Sequence, residues 1–115
     1  MATTVEFRRD PRWQETLTNA VGAALYADVV ENILHPSMEQ VPVDTGALRR
    51  SAMAHKPVIN GTQVTVSVSY DTNYAIYVHE DLSARHPHGN AKFLERPALA
   101  AQNGMSDRVA KRMSL

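Results

Sequence analysis

Val41-Pro42-Val43-Asp44-Thr45-Gly46-Ala47-Leu48 is the stretch of this 115-residue chain with the most evident chemical potential. Apolar-Asp-Thr-Gly presents a carboxylate on a tight glycine corner. Two such carboxylates brought together across a dimer axis cannot both ionise; they share a proton and activate a water. A second group is rich in imidazole. His79-Glu80 begins like the zinc motif H-E-x-x-H, and His86-Pro87-His88 follows within the next turn or two of chain. Three histidines can hold a zinc ion and leave a position open for water.

Both chemistries need a context, and the context differs from what the sequence offers. The Asp-Thr-Gly-Ala string surrounds the catalytic aspartate of retroviral-type aspartic proteases, where Asp44 would be catalytic. Those enzymes are almost wholly β, with the aspartate between two strands. Here Pro42 stands two positions before Asp44, the residues after Gly46 read as helix, and so does most of the chain before the motif. The plainer reading is structural: Asp44 or Thr45 caps a helix, and Gly46 supplies a backbone angle other residues avoid. For zinc, the second histidine is needed at position 83, which is Ser83. His79, His86 and His88 then read as polar residues of an exposed docking loop. No catalytic, cofactor-binding or metal-binding residue is assigned, no cofactor is expected, and the chain reads as a non-enzyme.

Composition narrows the field further. Twelve basic and twelve acidic residues cancel, which argues against a protein gripping phosphates through excess Lys and Arg. There is no cysteine, hence no disulfide, thiolate site or cysteine nucleophile. No apolar run reaches the roughly 20 residues that span a bilayer. The opening MATTVEFRRDPR lacks the apolar stretch of a signal peptide, so the expectation is a protein of the cytoplasm or of something assembled there. Hydrophobic residues make up 43%, enough for one small folded domain.

The elements that must position these residues follow from spacing. Residues 1–10 read as an N-terminal arm. A long helix is expected over 11–35, with apolar residues at Trp13, Leu17, Val21, Leu25, Val29 and Ile33. A four-residue step drifts about 40° per repeat, so the stripe winds; Tyr26, Val30 and Leu34 widen it into a candidate subunit interface. His35-Pro36 should end or kink this helix. A helical corner is expected over 44–51 and a hairpin over 52–70, turning at Asn60-Gly61. That turn pairs Ile59 with Thr62, Pro57 with Val64, His55 with Val66 and Met53 with Val68. It puts Met53, Pro57, Ile59, Val64, Val66 and Val68 on one face, with an edge or bulge at Pro57. A helix over 73–82 capped by Asp71-Thr72-Asn73, a polar loop over 83–95 and a C-terminal helix over 97–113, open to interruption at Asn103-Gly104, complete an α+β reading of helices on a small antiparallel sheet.

Three segments, in order, carry a resemblance: Pro42-Val43-Asp44-Thr45-Gly46-Ala47-Leu48-Arg49-Arg50-Ser51, Tyr74-Ala75-Ile76-Tyr77-Val78-His79-Glu80, and Ala91-Lys92-Phe93-Leu94-Glu95-Arg96-Pro97-Ala98. The patterns P-V-D-T-G-x-L-[RK]-x-S, Y-A-x-Y-V-[EH] and F-L-x-x-P-A resemble the HK97 gene product 10-like family of phage tail-component or head–tail connector proteins. The resemblance covers about residues 13–112. It implies an α+β subunit acting in the virion neck as a tail-completion or head–tail joining protein, also labelled minor capsid protein, with a tail terminator as the alternative role. It implies a ring, usually a hexamer, between a head-side connector and the tail terminator or tube, with DNA passing through the lumen unbound and no membrane involved. Many members carry an acidic residue and then Phe-Gly-Thr after the Tyr-Val pair, where this chain has His79-Glu80-Asp81-Leu82. Under the resemblance, Val43, Asp44, Thr45, Gly46, Leu48, Ser51, Tyr74, Tyr77, Phe93, Leu94 and Pro97 form the structural motif. Arg49, Arg50, His79, Glu80, His86 and His88 join Tyr26, Val30 and Leu34 as the expected interface.

Overall fold

The structure, a computed structural model, describes residues 1–8, 15–41, 46–61, 63–72, 74–80 and 92–113, and leaves the side chains of Arg8, Glu15, Thr16 and residues 76–78 undescribed. Along the first residues, exposure alternates: Thr3, Val5 and Phe7 are half-buried, whereas Ala2, Thr4 and Glu6 are exposed. This period of two is that of a strand with one covered face. The segment forms β1 (Ala2–Arg8) in place of the expected arm. It runs antiparallel to β4 (Gln63–Ser69) in unbroken register, from Ala2↔Ser69 to Arg8↔Gln63. β4 is central, with Val64, Val66 and Val68 fully buried and Gln63, Thr65, Ser67 and Ser69 on the half-exposed face.

The other edge of β4 is taken by two short pieces, β2 (Met53–Ala54) and β3 (Val58–Asn60). His55 donates its amide to the Ser67 carbonyl at 2.8 Å, and Val58 pairs with Thr65. Lys56 and Pro57 therefore stand together opposite Val66: a bulge of two residues against one, where proline cannot serve the ladder. This is the bulge expected at Pro57, and the register differs at the turn as well. The hairpin closes at Asn60↔Gln63 with Gly61 at φ 62° in the turn, one residue later than an Asn60-Gly61 loop. Ile59 pairs with Val64, and Met53 pairs with Ser69, not Val68. Met53 thus falls on the polar face and is 55% exposed.

Helix α1 (Glu15–Val29) buries Val21, Leu25 and Val29, and the same stripe continues to Ile33. The helix does not stop at His35-Pro36. It passes through a π-helical turn, Val30–Leu34, into α2 (His35–Gln40). In the π turn each amide reaches five residues back, as His35 does to the Val30 carbonyl. The ladder is already opened where Pro36 lacks a donor and crowds the carbonyl four residues earlier. His35 keeps helical angles, φ −63° and ψ −48°, despite preceding proline.

Beyond the sheet lie α3 (Ala47–Arg50), α4 (Ala75–Glu80), α5 (Glu95–Gln102) and α6 (Met105–Arg112). The expected C-terminal helix is thus two helices, the first beginning before Pro97. Asn103 turns extended and Gly104 takes φ 75°, where a side chain would be strained. One core joins the layers: Leu25, Val29 and Ile33 against Val64, Val66 and Val68, with Tyr70, Phe93, Leu94, Met105 and Val109. Ser37 and Tyr70 share a buried 2.7 Å hydroxyl hydrogen bond within it. Burial pushes the Tyr70 phenol up, an effect partly offset by Ser37 and then Arg49.

Because β1 supplies one whole flank of the central strand, a chain lacking residues 1–8 should lose its cooperative thermal transition by circular dichroism. A sharp transition near that of the full chain would show that β1 is an appendage.

Candidate functional site

Asp28 sits on the apolar stripe of α1, three residues after Leu25, and is fully buried. Its charge is met from the far end of the chain. Arg108 on α6 donates Nε to Oδ1 at 2.8 Å and Nη2 to Oδ2 at 3.1 Å, the two-pronged geometry that suits a guanidinium. Asn32, one turn along, donates to Oδ1 at 3.0 Å, and Arg112 Nε lies 3.5 Å from the same oxygen. Arg108 also donates to the carbonyls of Ala101 (2.6 Å) and Asn103 (2.7 Å), which the break between α5 and α6 leaves without helical partners. Arg112 pairs in addition with Glu31. One arginine thus satisfies a buried acid and caps a helix end. Its guanidinium is held protonated above its ordinary value, chiefly by the hydrogen bond to Asp28.

A second polar cluster surrounds Phe93. Tyr70 and His79 both meet this ring edge-on, each with centroids 5.0 Å away. His79 is 5% exposed, not a residue of an exposed loop. Its Nε2 accepts the Glu95 backbone amide at 3.2 Å, which assigns the ring proton to Nδ1. Nδ1 then donates to Glu80 Oε1 at 2.9 Å. Both ring nitrogens are engaged, so neither is available as a general base or a metal ligand in this arrangement. Lys92 pairs with Glu80 and lies 3.7 Å from Glu95. The Lys92 backbone takes φ 57°, held between its own amide's bond to the His79 carbonyl (2.7 Å) and its carbonyl's bond from Arg96 (3.0 Å). The Lys92 hydrogen bond, then that of His79, lowers the Glu80 carboxyl below its ordinary range.

The glycine corner is architectural where it is described. Gly46 has φ 75° and takes the N-cap place of α3, so the cap falls one residue beyond Thr45, on a residue with no side chain to offer. A Cβ at Gly46 would stand 2.6 Å from Arg50 Nη1. Leu48 is buried. Ser51 Oγ donates to the Leu48 carbonyl at 2.7 Å and accepts the Asp71 amide at 3.1 Å, tying the corner to the chain leaving β4.

The remaining expected residues divide. Phe93, Leu94 and Pro97 are core, Tyr74 is 38% exposed, and Tyr77 lies on α4 with its side chain undescribed. Val43, Asp44, Thr45, His86 and His88 lie outside the described residues. Tyr26 and Leu34 are half-buried and pack on the core, and Val30 is half-buried in the π turn. Arg50 and Glu80 are exposed, and Arg49 is half-buried. Asp28 and Arg108 were absent from the sequence reading; the only local signal is an acid inside an apolar stripe. Among the described residues no three His, Cys, Asp or Glu side chains converge as metal ligands, and no helix is long and apolar enough to cross a membrane. Compared with known protein families, curated proteins and solved structures, the chain matches none.

Arg108→Ala leaves the fully buried Asp28 carboxylate without its two-pronged partner and should cost about 3–5 kcal/mol by urea unfolding; Arg112→Ala should cost far less. Equal losses would remove Arg108 as the main partner. Because the folded Glu80 value is depressed, its contribution is complete above the ordinary carboxylate value and fades as pH falls through the folded one. Glu80→Gln should therefore flatten the acid limb of a stability–pH curve below about pH 4.5; an unchanged limb would assign acid sensitivity elsewhere.

Proposed function

We propose that this chain is a structural virion protein of a tailed bacteriophage: a neck subunit that forms a ring of six copies and joins head to tail around the DNA channel. The observation that carries this reading is the use to which the resemblance-bearing residues are put. Gly46, Leu48, Ser51, Phe93, Leu94 and Pro97 turn corners or fill the core. They hold a shape. Among the described residues, the buried charged and imidazole side chains are likewise engaged: Asp28 with Arg108, and His79 with Glu80 and the Glu95 amide.

Such a protein works by assembly. Its partners are further copies of itself, a head-side connector and the tail terminator or tube, and it resides in the neck of the virion after assembly in the bacterial cytoplasm. Zero net charge suits a subunit that lets DNA pass without gripping it.

Disrupting the gene in the phage that encodes it should leave filled heads and finished tails that do not join, seen by electron microscopy of the lysate. Tails of irregular length would instead assign the terminator role. Normal infectious particles would remove the neck reading.

A further inference from the structure

We infer that His79 is an acid-operated latch between α4 and α5: neutral, it holds the first amide of α5, and on taking up a proton it releases that amide. The start of α5 has no cap of its own. Leu94 stands at the N-cap and offers no side-chain hydrogen bond, and the first amides of a helix have no partner within it. His79 supplies one from another helix, its Nε2 accepting the Glu95 amide at 3.2 Å. Helix starts are ordinarily capped by Ser, Thr, Asp or Asn, none of which turns from acceptor to donor near neutral pH. An imidazole nitrogen does.

The surroundings give the latch its direction. Among the described residues, α4 presents Glu80 to the ring, which accepts Nδ1–H at 2.9 Å. Lys92 pairs with that same carboxylate, and α5 brings Glu95. The start of β1 closes the same hollow with Met1, Ala2 and Thr3, whose one titratable group is the Met1 amino group. Tyr70, the other ring on Phe93, turns its hydroxyl to Ser37. A doubly protonated ring keeps its bond to Glu80 but points a second donor at the Glu95 donor, toward the positive end of α5. It therefore stays with α4 and lets α5 go. The backbone is set to respond. Lys92 is held at φ 57°, where a residue other than glycine seldom rests. Its amide is bound to the His79 carbonyl at 2.7 Å and its carbonyl to the Arg96 amide at 3.0 Å. Such a conformation persists only while its neighbours impose it.

Nuclear magnetic resonance on the ¹⁵N-labelled full chain, from roughly pH 8 to pH 5, tests the latch. At the upper end the His79 ring should carry its proton on Nδ1, with Nε2 bare. As the ring takes up its second proton, the Glu95 amide should lose about tenfold of its protection from hydrogen exchange, corrected for the intrinsic effect of pH. Amides of β4 such as that of Val66 should keep theirs. His79→Gln, whose side chain can accept the amide but takes up no proton, should show no such fall over the same range. A proton on Nε2 at the upper end, a Glu95 amide that stays protected while the ring is charged, or an equal fall in His79→Gln would each overturn the latch. So would a ring that takes up its second proton only as the whole domain unfolds.

Discussion

The buried pairing of Asp28 with Arg108 is the constraint on which the arrangement of this fold depends. An ionised carboxylate in the core is tolerated only when its charge and its lone pairs are met. Arg108 meets them across 80 residues of sequence, and Asn32 and Arg112 complete the set. That demand fixes the rotation of α6 about its axis and its height along α1. The same guanidinium holds the carbonyls of Ala101 and Asn103, so the break between α5 and α6 is set by the same side chain. A hydrophobic contact at this place would hold the layers together equally well but would tolerate sliding; a two-pronged ion pair does not.

A rigid subunit of this kind is what an assembly protein requires. A ring multiplies any freedom within one copy around its circumference, so the side chains that hold layers in place bear directly on closure. The aromatic cluster serves the same end on the other side of the core. Phe93 is gripped edge-on by Tyr70 and His79, while Ser37 ties Tyr70 to α2 and the Glu95 amide ties His79 to the start of α5. Gly46, which closes the Asp-Thr-Gly string, has a left-handed backbone at the start of α3, and Ser51 links that corner to the chain leaving β4.

Much of the fold was legible because its signals are local. The apolar stripe of α1, the alternation of β4, the irregularity at Pro57 and the interruption at Asn103-Gly104 are each written within a few residues. What was not legible depends on distant partners. β1 spells an alternating pattern in Thr3, Val5 and Phe7, but its strand partner lies some sixty positions on, and the charges that follow it read as an arm. Asp28 looks like an ordinary polar interruption until Arg108 is seen opposite. Pro36 reads as a helix stop or kink; the π turn before it is a response of the backbone, not a residue type. The hairpin register shifted because the turn closes one residue later than Asn60-Gly61, and the bulge then moves every pair beyond it by one residue, which is why Met53 came out on the polar face.

The central claim is that this chain is a ring-forming part of the neck, and counting it in finished particles tests that most directly. Quantitative mass spectrometry on purified virions of the phage that encodes it would compare its copies with those of the portal protein. The account predicts a fixed ratio near one half of the portal's or equal to it, on the order of six to twelve copies in a closed ring. Absence from finished particles would contradict it.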